Sequence, residues 1–411
     1  MNICVVGVGY IGLPTASVLG NSGHNVYGID INVSLVNQLN NKTYDTEENG
    51  LLELINKAID NNKLRFMTST PNSDVFILCT PTPLDEDNNP DLTYLLKALD
   101  STLDVVETKN LIIIESTIPP GTLKNKIIPK IEDRGLIIGE DIFLVYCPER
   151  VMPNNIIYEM INNDRVIGAC TEYCGIKAKE VYESFVKGKI YVVEPEIAEL
   201  VKLVENSYRY LNIAFANEIA KICNELELDP YLVIDISNKH PRVNILQPGI
   251  GVGGHCLPVD IIFLISKFKD IARLLELSHE INASMPAFIS TKIESLVKDI
   301  INPKITIWGL TYKGNSSDIR NSPAIKIYNF LINNKYNVEV WDPYLNNNYN
   351  QFSSLQNSDL LMLLVNHDEI KDFKYDIVLD YMNTPIIFDG INIIDSTNLD
   401  PDIRLIKLGK L

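Results

Sequence analysis

The stretch "ICVVGVGYIGLPTASVLGNSGHNVYGID", residues 3–30, decides the fold. It opens on "ICVVGV", a short apolar run of the kind that parallel sheets bury on both faces. Helix-like spacing follows through "GVGYIGLPTASVLGNSGH", and "NVYGIDI" then reads as a second strand ending at Asp30. This is a β-α-β unit. Gly7, Gly9 and Gly12 form G-x-G-x-x-G where the first strand gives way to the helix. Gly7 permits the tight turn, Gly9 lets a pyrophosphate approach the backbone, and Gly12 lets helix and strand pack closely. Tyr10 and Ile11 belong to the same turn, and the first N–H groups of the helix face the phosphates. Pro14 lies in the first helical turn, where its missing N–H costs little. Asp30, 18 residues after Gly12, is placed to take the ribose hydroxyls of NAD and to repel the extra phosphate of NADP. NAD is the expected cofactor.

Working outward, "DVFILCTPTP" (74–83) and "NLIIIESTIPPGT" (110–122) read as further parallel strands ending in small or hydroxylic residues. Thr80 and Pro81 end the first of these beside the expected switch point of the sheet. A doubly wound sheet is predicted over roughly residues 1–190. Residues 197–227 contain neither glycine nor proline and repeat apolar side chains at three and four spacing, which predicts one long helix. At this length it is expected to cross between domains and to make a subunit contact in a homodimer or higher homo-oligomer. A further helical region is expected from 261 to about 300. Then "KITIWGL" (304–310), "NVEVWDPY" (337–344), "SDLLMLLVNH" (358–367) and "PIIFDG" (385–390) restore an α/β rhythm. The predicted fold class is therefore α/β, with two Rossmann-like doubly wound domains joined by a long central helix. Its expected divisions are 1–196, 197–300 and 301–411.

The totals agree with a compact multidomain chain. At 411 residues, 46% apolar and 22% charged, there is material for two or three cores and no call for extended disorder. A formal charge of −17 disfavours nonspecific attraction to nucleic acid or anionic lipid, so neither is an expected partner. The opening "MNICVVGVGY" lacks the basic lead of a signal peptide, and no apolar run is long enough for a membrane helix. The expected location is cytoplasmic. Seven scattered cysteines in a reducing compartment read as free thiols. Cys170 and Cys174 have no second pair to complete a zinc site, and no metal is expected.

A second motif, "QPGIGVGGHCLPVD" (247–260), gathers four glycines around one thiol. Glycines 249, 251, 253 and 254 open backbone conformations closed to other residues and clear side chains from a ligand's path. Cys256 is thereby expected on an accessible loop. Beside a nicotinamide cofactor, a thiol can capture an aldehyde as a thiohemiacetal, which loses a second hydride to become a thioester. The competing reading is a partly buried thiol in a structural loop. His255 is adjacent, but neighbours in an extended loop point apart, so it is not assigned as the activating base.

Several stretches follow in order along the chain: "GVGYIGLPTA", "ESTIPPGT", "CPERVMP", "NDRVIGA", "LVKLVENSYRYLNIAFANE", "GVGGHCLPVD" and "GLTYKGNSSDIRNSPA". Together they resemble the UDP-glucose/GDP-mannose dehydrogenase family, whose members oxidise the C6 alcohol of a sugar nucleotide to a uronic acid with NAD in a four-electron reaction. Within it, "NKHPRVNILQPGIGVGGHC" and "CPERVMP…NDRVIG" look most like the branch acting on UDP-N-acetyl-D-mannosamine. Val259 stands where the UDP-glucose enzymes usually carry lysine, which favours an N-acetylhexosamine. Ile261 and Ile262 depart from the proline and aromatic residue common in that branch.

The resemblance implies Cys256 as nucleophile and Lys202 as a polar group stabilising a developing oxyanion. Asn206, one helical turn on from Lys202, shares its face of the helix. Asp260 is implied to work with Lys202 and a water in deprotonating the alcohol, and Glu149 to act as base in thioester hydrolysis. A plain reading pairs Glu149 with a neighbouring arginine and has Asp260 begin the next helix. Thr117 is implied to order a water or touch the cofactor. The UDP-sugar is implied to meet Arg150, Lys202, Asn206, Arg242, Asn244, Gly253, Lys313 and Arg320, arginine's fork suiting pyrophosphate oxygens. Asp318 and Arg320 stand open to pairing with each other instead. UDP-N-acetylglucosamine and UDP-glucose remain alternative substrates. A two-electron β-hydroxyacid dehydrogenase shares the architecture but has no need of Cys256. A non-catalytic NAD- or nucleotide-sugar-binding protein has no need of Cys256, Lys202, Asn206 and Asp260 together.

Overall fold

The computed structural model describes residues 1–152, 154–345 and 350–409; Pro153, the last residue of the quoted "CPERVMP", and residues 346–349 and 410–411 of the expected division 301–411 lie outside them. The chain gathers into two compact units, Met1–Glu205 with Ile262–Lys267, and Asn206–Ile261 with Phe268–Leu411. The chain passes from one to the other inside two helices. One is the long helix Pro195–Glu225, and the other is Leu257–Lys267, which directly follows the glycine-rich loop.

The first unit holds eight strands: β1 (Asn2–Val6), β2 (Asn25–Ile29), β3 (Leu64–Met67), β4 (Val75–Leu78), β5 (Leu111–Ile114), β6 (Phe143–Tyr146), β7 (Arg165–Ala169) and β8 (Ile190–Val193). Their spatial order is β3-β2-β1-β4-β5-β6-β7-β8. Strand direction reverses at one place, where β6 meets β7 antiparallel; the other pairs are parallel. The parallel strands β1 to β6 are thus extended by a β7-β8 pair running against them. Alternate residues of β1 serve opposite faces, Ile3 and Val5 in one core and Cys4 and Val6 in the other. Apolar runs with no polar interruption are what burial on both faces requires.

Because β1 lies between β2 and β4, the connection after β1 leaves to one side and that after β4 to the other. The crevice at the carboxyl ends of these strands is the switch point of the sheet. Helix Gly12–Asn21 begins there, with Gly12 to Gly20 buried. On the far side, Glu199 of the long helix accepts hydrogen bonds from the backbone N–H groups of Gly121 and Leu123, the latter at 2.9 Å. Lys267 donates to the Pro120 carbonyl. These contacts fix the loop that follows β5.

The second unit carries β9 (Lys304–Trp308), β10 (Asn337–Trp341), β11 (Leu360–Leu363), β12 (Ile386–Asp389) and β13 (Arg404–Lys407), all parallel, in the order β10-β9-β11-β12-β13. The first four fall within the predicted runs, and β13 is an addition. The helical region expected from 261 is two helices, Leu257–Lys267 and Arg273–Val297. Asn212 and Asn217 of the long helix staple the intervening loop. Asn212 bonds the Asn244 carbonyl (2.8 Å) and the Leu246 N–H (2.9 Å), and Asn217 accepts from the Gly249 N–H (2.9 Å). Among the described residues no helix is long and apolar enough to cross a membrane.

Candidate active site

In the first unit the nucleotide seat follows from three glycines with three different constraints. Gly7 ends β1 at φ 90°, and its N–H donates to the Ile29 carbonyl at 2.7 Å. A Cβ there would stand 3.0 Å from the Cys79 carbonyl oxygen, and one on Gly12 would stand 1.9 Å from the Gly7 oxygen. Gly9 differs: nothing lies within 4 Å of its Cβ position. The closed pair shapes the turn, and the open glycine leaves bare backbone at a helix N-terminus, which fits a pyrophosphate. Tyr10 is exposed and Ile11 half-buried in the same turn. Asp30 directly follows β2, half-buried, with one carboxylate oxygen accepting the Asn32 N–H at 2.9 Å.

The carboxyl ends of β4 and β5 are laced together by hydroxyls. Thr82 donates to the Thr117 carbonyl and Ser116 to the Thr80 carbonyl, each at 2.7 Å. Thr80 and Thr117 are half-buried and Pro81 is exposed beside them. Lys202, in the same unit, is half-buried on the long helix.

Glu149 is buried, and the side chain it pairs with is not that of the arginine next to it. Its Oε2 accepts from the Arg165 guanidinium at 2.7 Å and its Oε1 from the Arg150 backbone N–H at 2.8 Å. The Arg150 side chain turns instead to Glu205 (Nε to Oε2, 2.9 Å) and to the Asp164 carbonyl (3.0 Å). The Arg150 guanidinium is thus oriented by Glu205 and by the Asp164 carbonyl.

In the second unit Cys256 is exposed at the head of helix Leu257–Lys267, and its carbonyl accepts the N–H groups of Val259 (3.2 Å) and Asp260 (2.8 Å). A helix N-terminus favours negative charge on such a sulfur. Three of the four glycines before it are required by the surroundings. Gly251 and Gly254 hold φ of 130° and 88°, and a Cβ on Gly253 or Gly254 would meet Tyr312 at 2.6 or 2.8 Å. Gly249 has open space at its Cβ position and no such need. The loop is tied further by the Gly254 N–H to the Arg320 carbonyl and by the Asn321 amide to the Gly254 carbonyl, both 2.9 Å. Asp260, buried in the first turn of the helix, accepts the Asn206 side-chain amide at 2.5 Å.

Arg320 and Asp318 pair with each other, Nε lying 2.9 and 3.0 Å from the two carboxylate oxygens. Burial pushes the Asp318 carboxyl up, but bonds from Arg320 more than offset it and hold it below the usual range. Arg320 and Tyr312 both lie within electrostatic reach of Cys256; burial first, then the charges of Asp318 and Cys256, push the Tyr312 phenol up. Lys313 is half-buried in the loop after β9, where Thr311 donates to its carbonyl at 2.9 Å. That loop is pinned by buried His367, which accepts the Asn315 N–H on Nδ1 (3.0 Å) and sets Nε2 3.3 Å from Asp342. Arg242 and Asn244 are exposed on the loop stapled by Asn212.

These two sets of residues can be compared with known proteins. Three models of the UDP-glucose/GDP-mannose dehydrogenase family match in order: the NAD binding domain over residues 1–186, the central domain over 196–284 and the UDP binding domain over 306–396. The chain belongs to the UDP-glucose/GDP-mannose dehydrogenase family. It is therefore an NAD-dependent oxidoreductase of nucleotide sugars. A UDP-N-acetyl-D-mannosamine dehydrogenase of Methanocaldococcus jannaschii is 44% identical over 403 residues, 96% of this chain and 92% of that one. A solved structure of a UDP-D-ManNAc dehydrogenase from Pyrococcus horikoshii matches at TM-score 0.95 and 37% identity, covering 100% and 99% of the two chains. A UDP-N-acetyl-mannosamine dehydrogenase from Staphylococcus aureus matches at TM-score 0.91 and 41% identity, covering 100% and 99%.

Sequence reasoning passed over Tyr312, Asn321, His367, Glu115 and Arg165. The last two stand inside quoted stretches, "ESTIPPGT" and "NDRVIGA", and a charge flanked by strand residues was the available signal.

Proposed function

We propose that this family member oxidises the C6 alcohol of UDP-N-acetyl-D-mannosamine to the uronate through a covalent adduct on Cys256. The observation that carries the reading is an exposed thiol at a helix N-terminus, directly after a loop in which Gly253 and Gly254 leave no room for a Cβ against Tyr312. The names of the similar enzymes support the mannosamine substrate. Bound NAD supplies the electron acceptor, one molecule for each of the two oxidations. Asp260 and Lys202 take the alcohol proton through a water, and Lys202 with Asn206 steadies the oxygen left charged. The Cys256 sulfur then bonds to the aldehyde carbon, and the second oxidation leaves a thioester. Water adds to its carbonyl carbon, Glu149 takes the water's proton, the carbon–sulfur bond breaks, and Cys256 is regenerated beside a carboxylate product.

Gly7, Gly9, Tyr10, Ile11, Gly12, Asp30, Thr80, Pro81 and Thr117 are assigned to the cofactor, and Gly253, Arg242, Asn244 and Lys313 to the nucleotide sugar. Arg320 is assigned there through its place beside Cys256, and Arg150 is assigned there too, its guanidinium oriented by Glu205. The divisions 1–196, 197–300 and 301–411 serve cofactor, catalytic and UDP-binding roles in this reading. A cytoplasmic location follows from the need for a reduced Cys256 and a supply of NAD. A homodimer is supported by the long helix. Its exposed residues Ile197, Leu200, Val204, Tyr208, Phe215 and Ile222 recur at intervals of three, four and seven, which places them on one stripe. Sedimentation showing monomer alone at working concentration would remove that assignment.

The deciding experiment measures NADH formed from limiting UDP-N-acetylmannosamine with excess NAD, beside UDP-N-acetylglucosamine and UDP-glucose. Two NADH per sugar from the mannosamine compound alone is the expected result. Two from another sugar moves the substrate, and one per sugar removes the thioester. Cys256→Ser is expected to abolish complete turnover while NAD binding persists.

A further inference from the structure

One guanidinium serves two buried carboxylates in the first unit. Arg165, on β7, donates to Glu149 Oε2 at 2.7 Å, and its Nη1 lies 3.4 Å from Glu115 Oε1. Glu115, which directly follows β5, also accepts from the hydroxyls of Thr15 (3.1 Å) and Tyr182 (3.2 Å) and from the Cys79 thiol (3.0 Å). Glu115, Arg165 and Glu149 are 4%, 4% and 8% exposed. The Arg165 guanidinium carbon lies 4.6 Å from the centre of the Tyr182 ring and 5.8 Å from that of Phe185, so the fork is held against aromatic surface.

Two carboxylates against one guanidinium leave the cluster one charge short of balance, in a setting where charges interact strongly. Burial pushes the Glu115 carboxyl up, Arg165 draws it back down, and the charge of Glu149 pushes it up again. The other titratable groups facing the pair are Cys79, Cys147 and Tyr182. Burial pushes all three up, Cys147 to about 11, so they stay neutral through the working range; Cys79 and Tyr182 donate to Glu115, and the Cys147 sulfur accepts from Arg165 at 3.8 Å. Glu115 and Glu149 are thus the two carboxylates that compete for the one guanidinium. A carboxylate bonded to an arginine of its own is a weak base. One that shares the arginine with a second carboxylate is a stronger one.

We propose that Arg165 and Glu115 are positioning residues that aim Glu149 and set its strength as a base, Glu115 drawing off guanidinium charge that otherwise falls on Glu149. This rests on the reading that Glu149 takes the proton of the attacking water when the Cys256 thioester is hydrolysed. The step involves no change of oxidation state.

The test follows decay of the acylated full-length chain by quench and intact mass across pH. It uses excess NAD and whichever nucleotide sugar yields two NADH. Glu115→Gln leaves Arg165 wholly to Glu149. The decay rate on the plateau is expected to fall about three- to tenfold, and the midpoint of its acid limb to move about one unit lower, with KM for sugar and NAD unchanged. Glu115→Asp, which draws the carboxylate back from Arg165, is expected to move both in the same direction by less. An unchanged midpoint and plateau in these variants, with hydrolysis still blocked in Glu149→Gln, overturns the tuning role alone. Unchanged hydrolysis in Glu149→Gln overturns the base assignment beneath it. Should both Glu115 variants fail to fold while Glu149→Gln folds, the cluster is structural and the proposal falls.

Discussion

The side-chain amide of Asn206 donates to the carboxylate of Asp260 at 2.5 Å, and both side chains are buried. Asn206 lies on the long helix and Asp260 in the first turn of the helix that Cys256 heads, so this bond ties the helix behind Cys256 to the long one. Removing the amide leaves a buried acid short of a donor. Asn206→Leu is expected to lower stability by about 1.5–3 kcal/mol in urea unfolding. Asn206→Asp sets two carboxylates against each other, and its loss of stability is expected to shrink as pH falls and one of them is protonated. A flat response to pH in that variant removes the pairing as the cause.

The glycines before Cys256 are expected to separate into two kinds. Gly254→Ala forces a side chain onto φ 88° and against the Tyr312 ring, so it costs about 1–2 kcal/mol of backbone strain and displaces the thiol. Turnover is expected to fall at least about tenfold, since a misplacement on the order of 1 Å suffices for such losses. Gly249→Ala meets nothing within 4 Å and is expected to stay within a few-fold of the parent. Comparable losses in the two variants would show that flexibility, not shape, is what the loop requires.

Asp30, assigned above to the cofactor, is expected to set the choice between NAD and NADP. Its carboxylate stands at the end of β2 and is anchored by the Asn32 N–H at 2.9 Å. Asp30→Ser removes the charge that repels a ribose phosphate, so kcat/KM for NADP relative to NAD is expected to rise at least about tenfold. A ratio that stays put places the discrimination elsewhere.

Asp342 supplies a pH dependence in the second unit. Burial pushes its carboxyl up, but the His367 side chain and the N–H groups of Leu310 and Tyr344 more than offset this, and the folded value lies below the ordinary one. A depressed carboxylate contributes stability that is present above the unfolded value, about 3.9, and is lost as pH falls through the folded value. Asp342→Asn is therefore expected to flatten the acid limb of stability against pH for the second unit. An acid limb of unchanged slope would assign it to other carboxylates, with Asp318 the next candidate.

The sequence by itself determined what depends on short-range constraint. The turn after β1, the long helix, the second α/β rhythm and the glycine-rich approach to Cys256 are written in spacing and in residues with special backbone freedom, and no distant partner is needed to read them. Only the tertiary structure decided who pairs with whom. Glu149 has Arg150 beside it in sequence, yet bonds the Arg165 side chain, while the Arg150 side chain turns to Glu205. Asp260 meets Asn206 across 54 positions, β7 joins the sheet antiparallel, and β13 adds an edge strand outside the predicted runs. The physical reason is the same in each case. A charge or strand edge taken out of water must find its donors among whatever the fold brings close, and that choice is made in space, where sequence distance carries no weight.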